Sequence, residues 1–260
     1  MTSTLTGRVA LVTGVGRRAG IGFAIAQRLL AEGAAVFLQS WTPHDADQPW
    51  GADDVDALVA DLGQADRLAH VELDLADPDA PAALVTAAVD RFGTVDLLVA
   101  NHARSSHQAL EELTVAELDA AWAVNARASI LLVQAFAAQH DDARPGGRIV
   151  LFTSGQHLAP MADELPYAVS KGAIHQMTRT LAAHLAPRGI TVNAVNPGPT
   201  DTGWATPELT ERVAASMPSG RWGQPADAAN LVAFLASDDG VWITGQVIDS
   251  EGGFRRAAMS

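Results

Sequence analysis

Tyr167 is the only tyrosine in this 260-residue chain, and it stands four residues before the only lysine, Lys171. On a helix that spacing stacks both side chains on one face, near enough to couple. A lysine ammonium beside a phenol favours the phenolate, so the spacing predicts a phenol drawn down from its ordinary pKa of about 10 and able to exchange protons near neutrality. A second chemical signal lies near the start. The segment Thr13-Gly14-Val15-Gly16-Arg17-Arg18-Ala19-Gly20-Ile21-Gly22 follows an apolar run and enters a helical pattern. Glycines in such a turn let a pyrophosphate approach the backbone and the helix N-terminus, the alternative being a purely structural tight turn.

The elements that must position these residues alternate short β-rich runs with longer helical runs. That alternation is the signature of an α/β protein whose parallel sheet is covered on both faces. Strands are expected at 9–13, 35–39, 70–75, 95–100, 148–153, 190–195 and 246–249. Helices are expected at 20–31, 78–92 with Asp77 as cap, 114–140, 165–185, 208–215 and 226–236. The stretch 40–54, with Trp41, Pro43, Pro49 and Trp50, reads as a long polar connection. No interdomain linker or repeat interrupts the pattern, so residues 1–260 read as one Rossmann-type domain, with a largely parallel sheet of seven strands between helical layers.

Composition excludes several classes. A net charge of -13 argues against nucleic-acid binding and against an anionic membrane surface. With no cysteine there are no thiol ligands or disulfides, and no His/Asp/Glu set has metal-ligand spacing. No leader pattern or run of about 18 consecutive apolar residues is present, so the expectation is a cytoplasmic protein without a membrane span. His102 reads as a neutral, core-facing hydrogen-bonding residue.

The end of the second strand bears on the choice of dinucleotide. An acid there would bond a ribose 2′-hydroxyl and repel a 2′-phosphate, but the expected position is Ser40. Arg17 and Arg18 in the glycine turn suit the extra phosphate, so NADP(H) is favoured over NAD(H). Asp74, after the third strand, either accepts from an adenine amino group or caps its loop.

From about Leu5 to Phe254 the chain resembles the short-chain dehydrogenase/reductases, and in its longer glycine turn and its 41–50 connection the branch described as 3-oxoacyl-[acyl-carrier-protein] reductase-like. The resemblance makes Tyr167 and Lys171 the catalytic Tyr-x-x-x-Lys pair and Ser154, thirteen residues before Tyr167, the catalytic serine. Asn125, in Val-Asn-Ala-Arg, becomes the residue supporting a water and proton relay. Asn101, His102 and Ala103 match the Asn-Asn-Ala-Gly stretch, where Arg104 replaces the usual glycine. Asp74 matches the adenine contact, and Pro197, Gly198 and Thr202 match the segment beside the nicotinamide. The cofactor lining implied is Gly14, Gly16, Arg17, Arg18, Gly20, Ile21, Gly22, Ser40, Asp74, Leu75, Asn101, Ala103, Tyr167, Lys171, Pro197, Gly198, Thr200 and Thr202.

The resemblance also implies interconversion of a carbonyl compound and its secondary alcohol, with Ser154 polarising the oxygen and Tyr167 exchanging its proton. The substrate groove should lie between 156–164, 200–221 and the loop after Ala103, with 200–219 as a lid. Its apolar residues Leu158, Pro160, Met161 and Trp204 suit a small ketone or a 3-oxoacyl thioester. An acyl carrier protein, being acidic, would need entrance arginines, for which Arg104, Arg127, Arg212 and Arg221 are candidates. A homotetramer assembled through the long helices and the Gly252-Gly253-Phe254 region is implied as well. The alternatives are an NAD-dependent secondary-alcohol dehydrogenase and a nucleotide-binding regulatory protein without turnover.

Overall fold

A computed structural model describes residues 5–144 and 146–256; residues 1–4, 145 and 257–260 of the expected domain lie outside the described part. Seven parallel strands form one sheet: β1 (Val9–Val12), β2 (Ala35–Ser40), β3 (Leu68–Glu72), β4 (Leu97–Ala100), β5 (Gly147–Phe152), β6 (Ile190–Asn196) and β7 (Val247–Asp249). Their spatial order is β3-β2-β1-β4-β5-β6-β7. The order therefore reverses between β1 and β4, and a crevice opens at the carboxyl ends of those two strands.

The period-two alternation of the strands sorts side chains into two cores. Ala10, Val12, Val36, Leu38, Val99, Val150 and Phe152 face the layer built by α1 (Ile21–Ala31) and α9 (Pro225–Ala236). Leu11, Phe37, Leu98, Ile149, Leu151 and Val192 face α4 (Ala80–Phe92), α6 (Ala128–Gln139) and α7 (Leu165–Leu185). Both faces of the sheet are thus dry, which is why its strands read as nearly continuous apolar runs.

Several boundaries differ from expectation. β3 starts two residues early because Leu68 pairs with Val36, and the chain turns out at Asp74, whose carboxylate accepts from Ala76 N at 2.8 Å. Asp77 does not cap α4. It accepts from Asp79 N at 2.9 Å within the preceding turn, and Asp79 is the residue that enters the helix. The 40–54 connection contains a short helix, α2 (Thr42–Ala46). It is followed by α3 (Val55–Leu62), which the sequence reading missed although Asp54 caps Ala57 N at 3.1 Å and Leu58 is fully buried.

The expected long helix 114–140 is three pieces: α5 (Val115–Ala121), a π-helical turn (Trp122–Arg127) and α6. By composition this run is long and apolar enough to cross a bilayer, with a mean hydropathy of 1.3. Here its apolar face packs against the sheet, with Leu132, Val133 and Phe136 in the core. The extra residue in the π turn redirects backbone carbonyls, and His102 holds one of them. His102 Nε2 lies 3.0 Å from Val124 O and Nδ1 lies 2.7 Å from the Thr13 hydroxyl. A carbonyl can only accept, so Nε2 carries the proton and Nδ1 accepts from Thr13.

Burial, with a smaller contribution from the Lys171 charge, holds the His102 pKa at about 3. A histidine depressed this far in the folded state stabilises above its ordinary pKa of 6.5 and loses that contribution as pH falls towards 3. A His102→Asn variant, which has no titrating group there, should therefore lose less stability on acidification. Chemical denaturation should show the wild type falling relative to the variant by up to about 1.4 kcal/mol per pH unit below pH 6.5. Parallel curves would show that His102 is not buried in its neutral form.

Candidate active site

A cavity of about 1000 Å³ opens at the switch point. Gly14, Gly16, Arg17, Gly20, Ile21, Asp74, Leu75, Asn101 and Ala103 line it, as do Ser154, Tyr167, Pro197, Gly198, Thr200 and Thr202. Fifteen of the sequence-predicted residues thus converge on one space large enough for a dinucleotide and a small second molecule.

At the glycine-turn end, α1 points its N-terminus into the crevice. Its N-cap, Gly20, makes no side-chain capping bond, so the first-turn N–H groups are free to face an anion. The glycines also serve the protein itself. Gly14 has φ +72°, and a Cβ there would come within 2.7 Å of His102 Cα. Gly22 does not line the cavity; a Cβ on it would sit 2.5 Å from Gly14 O. Asn101 Nδ2 closes the turn by donating to Thr13 O and Gly14 O, each at 3.1 Å.

Two expected cofactor contacts face elsewhere. Arg18 turns outwards, with Nε 2.5 Å from Asp61 and its backbone N–H 2.6 Å from Asp53. The Ser40 side chain is buried in the sheet at 2.8 Å from His70 Nε2. The cavity wall is formed instead by its neighbours Gln39 and Trp41. Sequence reading missed Gln39, whose only signal was a polar residue at the end of a buried strand. Its amide accepts from Gly14 N at 3.0 Å and donates to Leu73 O at 2.7 Å, tying the turn to β3. Asp45 and Trp50, also missed, fold over the same end. Trp50 Nε1 donates to Asp45 at 3.1 Å, and the Arg17 guanidinium lies 5.6 Å from the Trp50 ring centroid while donating to Thr202 O. One arginine thus links the turn, the segment after β2 and the 200–219 segment.

At the other end, the loop after β5 delivers Ser154 and the first turn of α7 delivers Tyr167. Both line the cavity, close enough for the Ser154 hydroxyl to act on the Tyr167 phenol. Lys171 lies beneath, out of the cavity wall and 1 % exposed, with Nζ donating to Phe152 O at 2.8 Å and 5.7 Å from the Tyr167 ring centroid. The expected depression of the phenol pKa is not found. Burial pushes Tyr167 up to about 12, the Ser154 hydroxyl opposing it, while burial pulls Lys171 down to about 7. Desolvation of each group outweighs their mutual coupling.

Asn125 sits in the π turn, fully buried and away from the cavity wall. Its amide accepts from Arg104 N at 2.7 Å and donates to Arg104 O at 3.1 Å and to the Ser170 hydroxyl at 2.9 Å. The side chain expected to hold a water is thus bound to the 101–104 loop and to α7. Arg104 lies on the cavity wall and forms a two-pronged pair with Glu117 at 2.9 and 2.8 Å. That guanidinium holds the Glu117 carboxyl below the usual range.

The segment expected to be a lid carries α8 (Pro207–Ser216), seated by Val213, Met217 and Trp222 on its own small core. Trp204 and Trp222 meet edge to face at 5.7 Å and, with Met161 and Phe254, make this end of the cavity apolar. Two polar wall residues here, Glu164 and Arg256, were also missed. Glu164 was legible only as a boundary of the groove, and Arg256 reaches the cavity from the C-terminal segment, a long-range contact that no local pattern signals.

The depressed Lys171 pKa has a sign that can be measured. Its folded state resists protonation, so the cost of burying the ammonium is present below about pH 7 and is relieved as pH rises towards 10.5. Between about pH 7 and 9 the stability of the wild type should rise relative to Lys171→Met, by up to about 1.4 kcal/mol per pH unit in unfolding experiments. A flat difference would place the ammonium in a solvated site.

Comparison with known proteins agrees with this geometry. The family profile described as enoyl-(acyl carrier protein) reductase matches residues 14–255. The chain is 41 % identical over 250 residues to an uncharacterised oxidoreductase of Bacillus subtilis, covering 96 % of this chain and 97 % of that one. It is 35 % identical over 260 residues to an NADPH-dependent aldehyde reductase-like chloroplast protein of Arabidopsis thaliana, covering 96 % and 95 %. A short-chain dehydrogenase of Burkholderia cenocepacia solved with NADP superposes with a TM-score of 0.84 at 35 % identity, covering 99 % of this chain and all of that one. With a seven-stranded parallel sheet, a glycine turn at its switch point and a paired serine and tyrosine above a buried lysine, the chain belongs to the short-chain dehydrogenase/reductase family of oxidoreductases.

Proposed function

We propose that the protein is an NADP(H)-dependent reductase converting a ketone, or the 3-oxo group of a thioester, to the secondary alcohol. The observation that carries this reading is the Ser154–Tyr167 hydroxyl pair above Lys171, at one end of a cavity whose other end is the N-terminus of α1. Bound nicotinamide supplies hydride chemistry. Ser154 donates to the carbonyl oxygen as negative charge grows there, and Tyr167 gives that oxygen its proton. A phenol held neutral by burial is in the protonation state that reduction requires, and its proton moves downhill to a more basic alkoxide. Lys171, with a pKa of about 7, supplies a charge beneath the phenol that can change with the phenol's own proton. Asn125 fixes the loop and helix around this centre through Arg104 and Ser170.

Arg17 on the wall, and the lack of an acid at the end of β2, support NADP(H), as do the NADP-bound relative and the NADPH-dependent one. NAD(H) is the second reading because of one observation. Asp45 places a carboxylate oxygen 2.9 Å from where a Cβ on Gly16 would stand, so an acid not at the end of β2 still reaches the glycine turn.

A cytoplasmic homotetramer of one-domain subunits is part of the proposal. Trp122, Ile130 and Val169 on one side, and Phe234, Val241 and Trp242 on the other, are exposed apolar residues suited to subunit contacts. Carrier-protein docking draws less support from the arginines: Arg104 is paired with Glu117, Arg221 with Asp227, and Arg127 donates to Ala76 O.

Turnover of a ketone and 3-oxo thioester panel should be faster with NADPH than with NADH. Tyr167→Phe should lower kcat/KM at least about a hundredfold while coenzyme binding persists. Arg17→Ala should reduce the NADPH preference by about tenfold or more, and Asp45→Asn should increase it. Faster turnover with NADH by the wild type would overturn the cofactor assignment. Full activity in Tyr167→Phe would overturn the mechanism.

A further inference from the structure

The charged groups around the substrate end of the cavity are unequally matched. Arg104 is bound by Glu117 through two hydrogen bonds. Arg256, packed against the backbone of Gly155 next to Ser154, is bound by the Glu251 carboxylate through both terminal nitrogens. That carboxylate is itself held by Asn196 Nδ2 at 2.6 Å, and its residue packs against Gly198, so the guanidinium is already committed. Arg17 belongs to the opposite end, under Trp50 and the Thr202 carbonyl. Neither arginine at this end is left to meet a substrate anion.

Glu164 differs. It lines the cavity three residues before Tyr167, at the N-terminus of α7, and makes no capping bond to that helix. Its closest cationic group is His107 Nδ1 at 3.9 Å, on an exposed imidazole that carries charge only when protonated. Asp163 beside it adds negative potential, and the charge of Glu164 reaches the Tyr167 hydroxyl. Trp204, Trp222, Met161 and Phe254 give this end area but no charge, and Ser105 and His107 from the loop after Ala103 also line it.

We infer that Glu164 selects the substrate by charge, admitting apolar or aromatic ketones with a neutral polar or cationic substituent and rejecting carboxylates. The inference rests on the reductase reading for its substrate class, but its electrostatics concern only this chain's own residues. A carboxylate entering this end would meet Glu164 with no free guanidinium to compensate, a repulsion amounting to about a tenfold loss of affinity on the order-of-magnitude scale of Coulomb interactions. A hydroxyl, amide or ammonium group would gain a hydrogen bond or an ion pair from the same side chain.

The test uses three ketones of similar size: para-acetylbenzoate, para-acetylbenzamide and para-acetylphenyltrimethylammonium. Their dissociation constants are measured by calorimetry on the protein saturated with NADP+, which has no hydride to transfer, at about pH 8, where Glu164 is ionised. Turnover with NADPH is followed in parallel. The benzamide and the ammonium ketone should bind at least about tenfold more tightly than the benzoate, and Glu164→Gln should shrink the gap to within about threefold. Neutralising Glu164 also eases ionisation of Tyr167, which moves all three rates together, so the ratio isolates recognition. Equal or tighter binding of the benzoate, an unchanged ratio in Glu164→Gln, or binding of none of the three would overturn the inference. Binding in the expected order without NADPH oxidation would sink the reductase reading alone, whereas reduction of all three at equal affinity would sink the charge selection alone.

Discussion

The Thr13 hydroxyl is the point from which the whole site is held. Sitting at the end of β1, where the strand order reverses, it accepts from the backbone N–H groups of Asn101 and His102 at 3.1 and 3.3 Å and donates to His102 Nδ1. His102 carries the connection on to Val124 O in the π turn. Asn125, the next residue, binds the 101–104 loop on one side and Ser170 on the other. The Ser170 hydroxyl donates to Tyr167 O at 2.8 Å. A continuous run of hydrogen bonds thus joins the glycine turn to α7. Thr13, His102, Asn125 and Ser170 are themselves buried, so a link broken at any of them leaves an unpaired polar group, and the geometry is held by that cost.

The same exclusion of water sets the chemistry. Tyr167 and Lys171 are close enough to attract, yet each is driven towards its neutral form by burial before it responds to the other. Reduction needs a phenol that stays protonated until an alkoxide develops and then gives up its proton readily. A phenol already ionised at neutrality would have no proton to give in that step. Burial therefore keeps the proton on the phenol for the proposed reduction while making it a weaker acid, and the lysine contributes as a nearby group with an adjustable proton.

Much of this was legible in the residues. Tyr167, Lys171 and Ser154 are set by spacing along one helix and its preceding strand, and local spacing survives folding because helices are regular. The strand cores were legible for the same reason, since burial on both faces leaves continuous apolar runs. The roles of Arg18 and Ser40 were not, because each is decided by partners far away in sequence: Asp61 lies 43 residues from Arg18, and His70 lies 30 from Ser40. α3 was missed although Asp54 and Leu58 marked it, because the stretch between the 40–54 connection and the third strand was given no element. The break in the 114–140 helix has no periodic signature. It lies where His102 holds the Val124 carbonyl, a backbone group that a regular helix would use.

Arg104 shows how a departure from the familiar pattern becomes part of the frame. Glycine is required where φ is positive, and among the described residues the only non-glycine with positive φ is Gln64. The Arg104 backbone is therefore ordinary, and a side chain there strains nothing. Its N–H and carbonyl are both bound by the Asn125 amide, while its guanidinium reaches Glu117 in α5, one helix piece before the π turn. A glycine would keep the backbone bonds but lose the tie to α5. The substitution thus adds a brace between the loop and the start of the broken helix. It also uses up the positive charge that the residue would otherwise present to the cavity.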